Sequence, residues 1–218
     1  MISTAYVKPM QVRSRLADLG LEEINLLLPV QRGQAARLSC TTNHPPQFPG
    51  IYAWSETVCA LREQLIPLGW ERSDEGNLPF TVNAERSVAI AVATGDEATG
   101  HLEKKPCTKS SKGPRTAGAV ADNEWQSLLF PDLRIRPEHL EKINARMTWL
   151  LLIHSDMEAK QVRCELSRPV NMNDEGRVDD WAERIILTAF QFGGDSVNVP
   201  LDNAPQSPEI VVEIKKRA

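Results

Sequence analysis

The sequence predicts an α+β fold: a mostly antiparallel or mixed sheet of about five or six strands with helices packed on one side. Two observations carry this. Strand-period segments come in neighbouring pairs, Leu78–Val82 with Ser87–Thr94 and Thr148–Ile153 with Gln161–Ser167, each pair joined by a short polar stretch as a hairpin requires. Helix-period segments fall between these pairs, so the strict strand–helix–strand alternation of a doubly wound nucleotide fold is missing. The 218 residues read as a single domain with an irregular basic loop at about 95–118 and a second irregular segment at about 193–208.

Taken in order, Val12, Leu16, Leu19, Ile24, Leu27 and Leu28 recur at near-helical spacing, with Gly20 interrupting them and Pro29 expected to stop them. Pro45, Pro46 and Pro49 predict a loop over Thr41–Gly50. Trp54, Val58, Leu61 and Leu65 form one face of a helix, with Ser55 as its expected cap and Pro67 and Gly69 at its end. Asn83–Arg86 is a hairpin turn. In the strand that follows, Val88, Ile90 and Val92 alternate with Ala89, Ala91 and Ala93; neither face is polar, which predicts a central strand covered on both sides. Ala119–Phe130 reads as a helix with Val120, Trp125, Leu128 and Leu129 as its apolar positions. Pro137 suits the start of another, followed by Leu140, Ile143 and Met147. Ser155–Lys160 and Asn173–Gly176 are turns, Ile185–Phe190 a fifth strand, and Ile210, Val212 and Ile214 mark a last strand before the basic tail Lys215–Arg217.

The net charge of −4, with 41% hydrophobic and 25% charged residues, is ordinary for a globular chain and argues against a wholesale nucleic-acid or membrane binder. Cys40, Cys59, Cys107 and Cys164 show no Cys-x-x-Cys spacing, so reduced thiols in a cytoplasmic protein are expected. No apolar leader opens the chain, and the longest uncharged apolar run, Trp149–Ile153, is far shorter than the roughly 20 residues of a membrane span.

Motifs that could carry chemistry are sparse. Gly95-Asp96-Glu97-Ala98-Thr99-Gly100 has the glycine spacing of a phosphate loop, but His101 and Leu102 stand where Lys and Ser or Thr must follow, and two acids would repel a phosphate. Asp96, Glu97 and Glu165 are metal-ligand candidates if the fold brings them together, with Asp179 and Asp180 as further acids. Pro131-Asp132 with Glu158-Ala159-Lys160 resembles the short Pro-Asp…Glu-x-Lys signature of a nuclease superfamily, but here the second half falls in a polar turn and not on a buried strand. His44, His101, His139 and His154 make no His-Glu-x-x-His motif, and Cys40 near His44 has no orienting group in sequence. No cofactor is expected. The positive signals are Lys104, Lys105, Lys109, Lys112 and Arg115 in one segment, able to follow a phosphate backbone, and Trp125 and Trp181 beside acidic residues, suited to anchor a protein interface.

His44-Pro45-Pro46, Trp54–Trp70, Val88–Gly100 and Val162–Leu187, with its Glu175-Gly176-Arg177-x-Asp179-Asp180-Trp181 segment, resemble a group of uncharacterised bacterial proteins of the accessory, mobile-element gene pool. The resemblance implies a bacterial host and a part in mobile-element maintenance or phage defence, and it brings no site residues. The leading expectation is a non-catalytic accessory protein that binds a macromolecule, a protein above all. A nucleic-acid-binding protein using the basic loop and a metal-dependent hydrolase or nuclease are the alternatives. Sequence leaves the oligomeric state open.

Overall fold

β4 (Val88–Thr94), apolar on both faces, lies inside a mixed sheet, as its composition requires. The computed structural model describes residues 3–129 and 146–193. The sheet runs β1 (Thr4–Tyr6), β7 (Val178–Ile186), β6 (Gln161–Met172), β5 (Met147–Asp156), β4, β3 (Phe80–Val82), β2 (Glu71–Ser73), and β8 (Phe190–Gln191) pairs with the start of β6. β4–β5 and β1–β7 are parallel, and the other pairs antiparallel. The α+β class and mixed sheet are as expected. The strands are more numerous, because β1, β2 and β8 have only two or three residues each, too few to show a period.

Both predicted hairpins form. Asn83 fixes the first turn: its Oδ1 accepts from Val88 N at 2.8 Å while its amide nitrogen donates to Ser87 Oγ at 3.0 Å. The strand expected at Ile185–Phe190 begins earlier, as β7, and ends at Ile186.

The helix layer is double. α1 (Pro9–Asp18), α2 (Ile24–Ser39) and α3 (Phe48–Leu65) cover one face, where Leu16, Leu26, Val30 and Leu61 pack with Val88, Ile90, Val92, Trp149, Leu151 and Cys164. α4 (Pro114–Leu129) covers the other, where Val120 packs with the β4 alanines, Leu150, Leu152 and Trp181. The alternation of branched and small residues along β4 therefore separates two cores, one per face.

Three sequence expectations give way to packing. Pro29 does not end a helix; it sits buried inside α2, where the burial of Leu26, Val30, Gly33 and Ala36 outweighs one lost backbone bond. Pro49 lies in the first turn of α3, where its missing N–H is no loss, so the helix begins at Phe48 and Ser55 is interior. On α4 the inward residues are Thr116, Ala119, Val120, Asn123 and Gln126, whereas Trp125 is 66% exposed. Asn123 is inward for a backbone reason. The β5–β6 ladder begins at Leu150 opposite Ser167, and beyond it on β6 stands Pro169, which has no N–H to give. Asn123 takes the vacant place, accepting from Thr148 N at 3.0 Å and donating to Thr148 O at 2.7 Å and Pro169 O at 3.0 Å.

α2 and α3 cross closely at Gly33. A Cβ there would meet Ala53 O at 2.7 Å and collide with the Thr57 side chain. Gly33→Ala, which in an open helix gains up to about 1 kcal/mol, is expected here to lose about 1–3 kcal/mol in urea unfolding.

Pro131-Asp132, the helix expected from Pro137, most of the irregular segment at 193–208, the strand at 210–214 and the basic tail lie outside the described residues. No helix among the described residues is long and apolar enough to cross a membrane.

Candidate functional site

Side chains at the carboxyl ends of the parallel pair β4–β5 come together in a cleft, the position where open sheets with parallel strands take ligands. Its floor is Thr94, Gly95, Ile153, His154 and Ser155; its walls come from Gly33, Gln34 and Arg37 of α2 and from Gly50, Trp54 and Thr57 of α3. The glycine crossing described above makes this possible, because it brings the end of α2 and the start of α3 down onto the strand ends. The cavity measures about 90 Å³.

Gln34 is 6% exposed; its Oε1 accepts from Ser155 Oγ at 2.9 Å, and its Nε2 is buried with no acceptor. Trp54 stands at the mouth, 39% exposed, with its indole N–H held by Val92 O at 3.2 Å. Lys109 arrives from the 95–113 loop, its backbone N–H bonded to Thr94 O at 2.9 Å. His154 Nδ1 lies 3.5 Å from Gly95 O.

Beside the cleft the first turns of α3 carry an aromatic ladder. His44 stacks on Phe48 with ring centres 5.0 Å apart, and Phe48 on Tyr52 at 5.5 Å. Ile51 is 56% exposed on the adjoining row, one helical turn from both Phe48 and Trp54.

The basic loop is ordered and tied to the sheet. Arg184 of β7 donates to Lys104 O at 2.8 Å and His101 O at 3.0 Å, Trp181 Nε1 to Pro106 O at 2.8 Å, and Thr108 N to Val178 O at 2.9 Å. This stretches its cations apart. Lys104 is exposed, Lys105 pairs with Asp180 at 3.0 Å, Lys109 lines the cleft, and Arg115 lies against Gly76. Lys112 is half-buried, and burial pulls its pKa below the usual lysine value.

Two sequence candidates are corrected. Trp181 is 1% exposed and belongs to the core, because register shifts opposite it in β6 turn it toward Phe80 and Val178. Glu165 is fully buried, its charge taken by Arg184 at 2.6 Å and by the N–H of Gly100 at 2.9 Å, so it has no free oxygen to offer a metal. Asp96 caps its own turn through Ala98 N at 3.1 Å, Glu97 is exposed, and no group of three His, Cys, Asp or Glu residues poised to hold a metal occurs among the described residues. Glu158 and Lys160 are exposed in the β5–β6 turn. Burial pushes the Cys164 thiol up in pKa, and Cys59 is pushed up by its bond to Glu63, so neither is an activated nucleophile.

Gln34, Arg37, Phe48, Ile51 and Tyr52 are absent from the sequence-level site. Prolines masked the start of α3; the His44/Phe48/Tyr52 spacing and a Pro suited to a first helical turn are the signals that point to it. Protein-family models, curated proteins and solved structures contain no match to this chain.

Proposed function

We propose that the chain is a non-catalytic binding protein that docks a protein partner on the face formed by the α3 aromatic ladder and the neighbouring cleft mouth. The observation that carries this reading is the row of exposed Phe48, Ile51 and Trp54 with half-buried Tyr52 beside them, held rigid by stacking and by the Trp54–Val92 bond. Rigid aromatic side chains supply contact area at low entropic cost, and such residues dominate protein interfaces. The resemblance to bacterial accessory-genome proteins supports placing the partner in mobile-element maintenance or phage defence.

The test is affinity capture from bacterial lysate, with and without nuclease, comparing the native chain with Ile51→Asp. The substitution is at a 56% exposed position and is expected to shift stability by no more than about 0.5 kcal/mol. A protein retained after nuclease and lost with Ile51→Asp supports the reading. Retention unaffected by Ile51→Asp refutes it, and recovery that vanishes with nuclease transfers the function to the Lys104–Arg115 loop.

A further inference from the structure

We propose that the cleft at the ends of β4 and β5 is a binding site for a small oxyanion, a phosphate or carboxylate group. The inference goes beyond the partner reading, since an ion can occupy the cleft whether or not a protein docks beside it.

Four observations converge. The lining holds Arg37, Lys109 and His154 and no acidic residue. The Arg37 and Lys109 side chains have no ion-pair partner among the described residues, in a chain whose other arginines are repeatedly paired: Arg32 with Glu56 and Glu63, Arg62 with Asp74, Arg184 with Glu165. Gln34 is 94% buried in the same lining, and its amide nitrogen lacks an acceptor. Finally Gly50, in the first turn of α3, also lines the cleft, so the positive end of an 18-residue helix adds to the field there. The carbonyls at the end of α2 offset part of the Arg37 charge but add no formal negative charge.

Size narrows the ligand. A cavity of about 90 Å³ admits a single phosphate or carboxylate group and little more. Trp54 and the α3 ladder at the mouth would meet whatever carries it. The shared chemistry is an oxyanion, either free or borne on a larger molecule, and the source is decided by comparing two probes.

The experiment is a titration of the full chain followed by amide chemical shifts, using orthophosphate and N-acetyl-phosphoserine amide at constant ionic strength, with chloride as control. Saturable shifts at Gly95, Lys109 and Ser155 are expected with the oxyanions and not with chloride. Arg37→Gln and Lys109→Gln should each weaken binding by about tenfold, the loss of one charge-assisted contact. Lys104→Gln, outside the cleft, should leave it unchanged. Tighter orthophosphate binding identifies a free ion; tighter binding of the phosphoserine amide identifies a group presented on a chain. Shifts that do not saturate, that chloride reproduces, or that survive both Arg37→Gln and Lys109→Gln overturn the proposal. Ile51→Asp should abolish partner capture and leave ion binding intact, so failure of one reading is separable from failure of the other.

Discussion

Glu165→Leu is expected to lose about 3–5 kcal/mol of unfolding free energy, the loss typical of removing one partner from a buried ion pair. Glu165 is fully buried on β6, and Arg184 on β7 has a side chain only 6% exposed. They meet through two bonds of 3.0 and 2.6 Å, and the same carboxylate accepts from Ser167 Oγ at 2.7 Å and Gly100 N at 2.9 Å. Removing it leaves a guanidinium in the low-dielectric interior with only carbonyls to face. The double variant Glu165→Leu/Arg184→Met removes both charges and should recover a large part of the loss, because the desolvation cost of the pair disappears with it. It should not recover the loop. Arg184 is also the donor to His101 O and Lys104 O, so the double variant should be cut by trypsin after Lys104 far faster than the native chain at equal stability. Urea unfolding and limited proteolysis read the two effects separately. Equal proteolysis rates would show that the loop is held by its other bonds.

Asn123→Ala should cost about 3 kcal/mol or more, a large effect for a polar residue on a helix. Three backbone groups, Thr148 N–H, Thr148 C=O and Pro169 C=O, depend on its amide, all in buried surroundings. Each buried polar group left unpaired costs about 1–3 kcal/mol. Trp125→Ala, two positions away and 66% exposed, should change stability by no more than about 0.5 kcal/mol. Urea unfolding of the two variants checks the contrast. A larger loss from Trp125 than from Asn123 would mean that α4 is held by its apolar surface and not by its hydrogen bonds to the sheet.

That contrast also shows where reading the chain alone fails. In α4 the spacing marks apolar positions, and the inward amide Asn123 carries no signal in the sequence. The matter is decided in another element: Pro169, 46 residues further on, has no N–H to give, and Asn123 bonds to its carbonyl and to both backbone groups of Thr148. Trp181 fails through register, since its acidic neighbours suggest a surface and irregular pairing buries it. Arg37 and Lys109 carry no signal as a pair. They are 72 positions apart and line one cleft because α2 and α3, crossing at Gly33, close over the strand ends.

By itself the sequence determined the elements whose cause is local. β4 is central because both its faces are apolar, the Asn83 turn closes a hairpin, α3 runs out at Pro67 and Gly69, and the class is α+β because strands come in pairs. Tertiary structure alone decided what depends on residues distant in the chain: two helix layers in place of one, the pairing of Glu165 with Arg184, the anchoring of the basic loop, and the cleft at the ends of β4 and β5. Periodicity and turn chemistry act over a few residues and can be read in order along the chain. Charge pairing and cavity formation act through space, and the sequence positions of their members carry no trace of the distance between them.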